Sequence, residues 1–131
     1  MGEQKLEPIA VDGGKGTVKL SADGIIHLVW QPGIVLESDD VHAAMDRVNE
    51  ISGGSEYPML VDMGVTKAVT RQAKSAFQIP CAASRIALLG SSPVDRIIAN
   101  FTIERQALPC PTRFFTSRDE ALVWLLDPAI S

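Results

Sequence analysis

Apolar positions along this chain recur with two different periods, and the alternation between them predicts the fold. Thr17-Val18-Lys19-Leu20 alternates with the period of two that a half-buried strand requires, and Asp23-Gly24 marks a tight turn into Ile25–Trp30. Residues 17–30 therefore read as a β-hairpin. In its second strand Ile26, Leu28 and Trp30 share one face, while Ile25, His27 and Val29 share the other. Both faces are largely apolar, which predicts a central strand. Gln31-Pro32-Gly33 ends it, and the period then lengthens. Val41, Ala44, Met45, Val48 and Ile51 fall on one helical face behind a helix start at Ser38, and Gly53-Gly54 closes that helix.

The same two-part unit recurs to the end of the chain. Met59–Met63 is an apolar strand carrying one carboxylate, Asp62; it breaks at Gly64 and leads through a short loop to a helix over Arg71–Gln78, which presents Ala73, Ala76 and Phe77 inward and must stop before Pro80. Arg85–Leu89 is the next strand. Gly90-Ser91-Ser92-Pro93 opens a helix with Ser92 as cap, Pro93 in the first turn and Asp95 three residues after the cap. Thr112–Phe115 is the last strand, and Ser117-Arg118-Asp119-Glu120 is a capping box for a final helix that ends before Pro128. The order β-β-α-β-α-β-α-β-α predicts an α/β domain: a mostly parallel five-stranded sheet with four helices, its first strand antiparallel at the hairpin. Residues 16–127 form this single domain, and the polar residues 1–15, with Gly13 and Gly14, are expected to be an extended arm.

Composition narrows the class without naming a function. A chain of 131 residues with 46% hydrophobic and 21% charged residues can bury one core without disulfide or metal staples. Sixteen acidic against twelve basic residues give a net charge of −4 with no basic stripe, which argues against a nucleic-acid partner. No apolar run approaches a membrane span, and the N-terminal residues lack the apolar centre of a secretory signal, so the expected location is the cytoplasm. Cys81 and Cys110 each precede a predicted strand and are expected to be reduced thiols.

Candidate chemistry concentrates at the carboxyl ends of the strands, where open α/β sheets meet their ligands. Each loop there runs into a helix start bearing Ser or Thr, so free backbone N–H groups converge into a generic anion site. Gly90-Ser91-Ser92 is the best single candidate for phosphate or carboxylate contact, although a turn glycine and a capping serine account for the same residues. Asp39 and Asp40, as neighbours at a helix start, point apart and favour capping over metal binding. Gly14-Lys15-Gly16-Thr17 is not a phosphate loop, because its glycines precede a strand instead of leaving one. Motifs for dinucleotide binding, a serine nucleophile elbow or a zinc protease are absent, and neither a metal nor a cofactor is expected. If all helices lay on one sheet face, the other would carry Ile25 and Val29 around His27, an apolar patch suited to a homodimer.

At Val61-Asp62-Met63-Gly64-Val65-Thr66, followed by Val69-Thr70, the chain resembles the SpoIIAA-like or STAS domains, anti-sigma-factor antagonists and their relatives. The element order agrees over most of residues 17–126, and the wider fold includes lipid-binding Sec14-type domains. Cys81–Arg96 and Pro111–Ser117 resemble segments of an uncharacterised subfamily. The resemblance implies a non-enzymatic regulatory module whose partner is a protein, such as a regulatory kinase or sigma-factor system, meeting the loop and helix around Val65–Gln78 with Thr66, Thr70 and Arg71, while Gly90, Ser91 and Ser92 remain candidates for ligand contact. The family's Asp-Ser-Ser-Gly segment corresponds to Thr70-Arg71-Gln72-Ala73 here. The phosphoacceptor serine is missing, Arg71 stands in its place, and Thr70 aligns with the family's aspartate. The alternative reading is a small-molecule or lipid-binding protein that uses the same carboxyl-edge loops.

Overall fold

The computed structural model describes residues 9–11, 14–63, 67–76, 82–105 and 110–127. Its strands are β1 (Ile9–Ala10), β2 (Gly16–Leu20), β3 (Ile26–Trp30), β4 (Val35–Leu36), β5 (Tyr57–Asp62), β6 (Ala68–Val69), β7 (Ala83–Leu89) and β8 (Thr112–Phe115). The helices are α1 (Ser38–Ser52), α2 (Arg71–Ala76), α3 (Pro93–Arg105) and α4 (Arg118–Leu125). Among the described residues the main sheet has the order β1-β2-β3-β5-β7-β8, and β4 and β6 form a separate two-stranded sheet. The five strands expected from the periodicity are all present. β2 and β3 pair antiparallel, and β3, β5, β7 and β8 run parallel.

Three two-residue strands are additions that no periodicity could have signalled. Ile9 and Ala10 pair antiparallel with Val18 and Thr17, and Val11 behind them is buried, so the end of the N-terminal segment is built into the sheet. β4 and β6 are discussed below. Pro58 sits inside the central strand β5, where its missing N–H would break the ladder. A register shift between Tyr57 and Met59 against β7 accommodates it.

The sheet has two unequal faces. Val18, Leu20, Ile26, Leu28, Trp30, Met59 and Val61 pack with Val41, Ala44, Val48 and Ile51 of α1 and with Ala73 and Ala76 of α2. The opposite face is smaller: Ile25, Leu60, Ala87 and Phe115 pack with Ala121, Trp124 and Leu125 of α4. The helices therefore divide between the faces. Ile25 is fully buried, and the apolar patch expected around His27 reduces to Val29, 40% exposed. Arg85 of β7 donates to the carbonyls of Trp124 and Asp127 at 3.1 and 2.8 Å, supplying the C-terminal cation that α4 lacks in its own last turn.

The start of α1 differs by one residue from the expectation. Glu37, not Ser38, is the cap, and its N–H donates to the Asp40 carboxylate at 2.9 Å. Asp40 is buried, and Lys15 answers it: Lys15 Nζ lies 2.9 Å from Asp40, 3.3 Å from Glu37 and 3.0 Å from the Val35 carbonyl. The lysine of the rejected phosphate loop thus ties the hairpin to α1. The two carboxylates, Asp40 before Glu37, hold the Lys15 ammonium pKa above its ordinary value.

Candidate functional site

Parallel pairing brings the carboxyl ends of β3, β5, β7 and β8 to one edge, and that edge is built in two different ways. On the β3/β5 side the loops pair with each other. Val35 lies opposite Ala68 and Leu36 opposite Val69, in parallel. Lys67 N–H donates to the Ile34 carbonyl at 2.8 Å, and Thr70 N–H to the Leu36 carbonyl at 2.9 Å. The chain thereby enters α2 with Thr70 as its cap: Thr70 Oγ1 accepts the Ala73 N–H at 3.1 Å. Arg71 is the first helical residue and is exposed. Thr66, together with Gly64, Val65, Phe77 and Cys81, lies outside the described residues.

The β7/β8 side has short loops and is left concave. A cleft of about 290 Å³ is lined by Asp62 from the end of β5, Leu89, Gly90 and Ser91 after β7, Asp95 from the first turn of α3, and Thr116 and Arg118 after β8. Asp62, the one carboxylate in its strand, meets Arg118 at 3.2 Å. Both are partly exposed, so the pair is a solvent-accessible rim contact and not a buried lock. Gly90 N–H donates to the Phe115 carbonyl at 3.1 Å and fixes the floor.

The start of α3 is capped from within. Ser92 Oγ accepts the Asp95 N–H at 3.0 Å, and Arg96 N–H donates to the Ser92 carbonyl at 3.1 Å. The Asp95 carboxylate, fully buried, turns back to accept the Ser91 N–H at 3.4 Å. Gly90 makes room for it. A Cβ at position 90 would stand 2.7 Å from Asp95 Cβ and 3.0 Å from the Phe114 ring. Of the N–H groups expected to hold an external anion at Gly90–Ser92, that of Gly90 is engaged by the Phe115 carbonyl and that of Ser91 already faces a carboxylate of the chain itself.

A second groove, of about 320 Å³, adjoins the cleft and shares Ser91 and Thr116 with it. Ser92, Pro93, Arg96, Ile97 and Phe114 complete its wall. The Arg96 guanidinium lies over the Phe114 ring, 5.1 Å from its centroid. Ile97 is 68% exposed.

Of the residues singled out in the sequence, Gly90, Ser91 and Ser92 lie at this cleft and groove. Thr70 and Arg71 belong to the paired half of the edge and line neither. Sequence reasoning missed Arg118 and Arg96 as site residues. Asp62 alone carried a signal, as an isolated carboxylate in an apolar strand, but its partner lies 56 residues away. His27 stands on the α4 face of β3, half-buried. Burial lowers its pKa below the ordinary 6.5, with Lys19 and Arg118 acting in the same direction and Asp23 against them. Among the described residues no three His, Cys, Asp or Glu side chains gather in a way that could hold a metal ion. No helix among them is long and apolar enough to cross a membrane.

Comparison with known proteins places this architecture. The model of a domain of unknown function, DUF7793, matches residues 18–128. A crystallised protein of unknown function from Arthrobacter sp. FB24 is 53% identical, over 82% of this chain and 96% of that one, with a TM-score of 0.35. An uncharacterised DUF3478 protein with a SpoIIAA-like fold, from Shewanella loihica PV-4, is 18% identical over 84% of this chain and 91% of its own, with a TM-score of 0.57. The anti-sigma factor antagonist SpoIIAA in its unphosphorylated form is 11% identical over 82% of this chain and 94% of its own, with a TM-score of 0.48. No curated protein matches. The SpoIIAA-like expectation is met at the level of the fold.

Proposed function

The chain belongs to the DUF7793 family, and from that premise we propose that it is a non-enzymatic, STAS-like regulatory module that works by binding a partner protein. The observation that carries this reading is the seating of Thr70-Arg71. The pair stands at the start of α2, and by the resemblance in sequence it corresponds to the segment in which STAS domains carry their phosphoacceptor. Here the Thr70 hydroxyl is engaged as a helix cap, and Arg71 opens the helix on an exposed position. A positive side chain in place of a switchable serine suits a partner contact that does not depend on phosphorylation. Phosphorylation of Thr70 would have to displace a cap bond already made.

Affinity capture with wild-type chain and with Thr70→Glu and Arg71→Ala variants tests the reading. A specific partner should be recovered by the wild type and lost or strongly reduced with Arg71→Ala. Equal recovery by all three chains contradicts a role for this surface.

The cleft between Asp62, Ser91 and Arg118 supports a second reading, in which the carboxyl edge holds a small molecule. Native mass spectrometry of freshly purified protein should then show a co-purified ligand. A clean apo mass, with no shift in melting temperature across a ligand screen, removes that reading.

A further inference from the structure

We propose that the groove between α3 and β8 docks a segment of a partner protein in which a carboxylate side chain neighbours an aliphatic one. The carboxylate would meet the Arg96 guanidinium, and the aliphatic side chain would cover Ile97 and the edge of Phe114. Three features of the groove converge on that chemistry.

The first is the state of Arg96. In a chain with sixteen acids and twelve bases, no carboxylate lies within ion-pair reach of this guanidinium among the described residues. Its described side-chain contact is the face of Phe114, at 5.1 Å. The contact with Phe114 seats the guanidinium at the wall of the groove. A guanidinium ordered in this way loses less side-chain entropy on accepting a bidentate carboxylate than a mobile lysine would. The second is Ile97. It is 68% exposed and directly follows Arg96 in α3, so an apolar contact lies beside the cation. The third is the state of the neighbouring cleft: Asp95 accepts at the α3 start and Asp62 pairs with Arg118, whereas Arg96 meets no described carboxylate. Charge complementarity therefore selects an acidic segment, and the exposed isoleucine selects one with an aliphatic residue beside the acid.

This surface is separate from Thr70-Arg71, and the two fail or hold independently. The test is a titration of the ¹⁵N-labelled full chain with a terminally blocked peptide of alternating glutamate and leucine, followed by amide chemical shifts. The expected result is a saturable response at residues 91–97 and 112–116, weakened by rising ionic strength. Arg96→Ala and Ile97→Asp alter exposed side chains and should leave the fold intact by circular dichroism. Each should weaken binding by about tenfold or more, as loss of a charge-assisted pair implies, while Arg71→Ala should leave it unchanged. A peptide with glutamine in place of glutamate should bind at least about tenfold more weakly. The proposal is overturned by the absence of a saturable response, by shifts that map elsewhere, by equal binding of the glutamine peptide, or by an Arg96→Ala chain that binds like wild type. A concentration-dependent dimer abolished by Ile97→Asp would also overturn it, because a second copy would then be the occupant.

Discussion

The two halves of the carboxyl edge begin from similar sequence and end differently. In each, a strand of apolar residues leads into a helix capped by a hydroxyl, Thr70 for α2 and Ser92 for α3. On the β3/β5 side the connecting loops are long enough to pair, and their N–H and carbonyl groups satisfy one another through β4 and β6. On the β7/β8 side the connections are too short to pair, and side chains must satisfy the helix start instead. Asp95 does so, and Gly90 has no side chain because Asp95 needs the space. The difference teaches that backbone pairing closes an edge, whereas side-chain capping over a glycine leaves it concave.

The sharpest way to break this comparison is Gly90→Ala. The new methyl would press on Asp95 Cβ, which moves only with the α3 backbone, and on the Phe114 ring. A loss of about 2–3 kcal/mol is expected from such overpacking, read as a lower denaturation midpoint at unchanged m-value. Next is Asp95→Ala, which strips the α3 start of its buried acceptor and should cost about 2 kcal/mol. The paired half should be more tolerant. Thr70→Ala removes one cap bond while β4 and β6 still hold the loop, so about 1 kcal/mol is expected. If Thr70→Ala proved costlier than Asp95→Ala in urea unfolding, the assignment of closed and side-chain-held halves would be reversed.

The smallest effect is a pH dependence from His27. Its folded-state pKa lies below 6.5, so near neutral pH the imidazole is uncharged in both states and contributes nothing. As pH falls through 6.5 the unfolded chain takes up the proton first, and stability declines until the native imidazole is protonated as well. His27→Asn should flatten the midpoint between pH 7 and pH 5 relative to wild type. A parallel pH profile in the two proteins would show that His27 titrates as it does in the unfolded chain.

The fold was largely legible from hydrophobic periodicity because its long elements bury one stripe each. Ile26, Leu28 and Trp30 announced a face of β3, and Val41, Ala44, Val48 and Ile51 a face of α1, and all are buried there. What escaped was made of short backbone pairings and distant side-chain contacts. β1, β4 and β6 have two residues each, too few for a period. The division of the helices between the two faces left no mark in the pattern, because the apolar residues of α4 fit either face equally well. Only the packing of Trp124 and Leu125 on Ile25, Leu60 and Phe115 decides the matter. At the site, Gly90, Ser91 and Ser92 were readable as punctuation before a helix. The partners that give them shape, Asp62 with Arg118 and Arg96 with Phe114, join separate elements and leave no local spacing to read.

Native-state amide hydrogen exchange measures the division of the edge most directly. Lys67 and Thr70, whose N–H groups donate across the paired loops, should be protected, together with Gly90, whose N–H donates to Phe115. Ser91, which has only a long bond to the Asp95 carboxylate, should exchange much faster than all three. Rapid exchange at Lys67 and Thr70 with protection at Ser91 would contradict a closed half beside an open one.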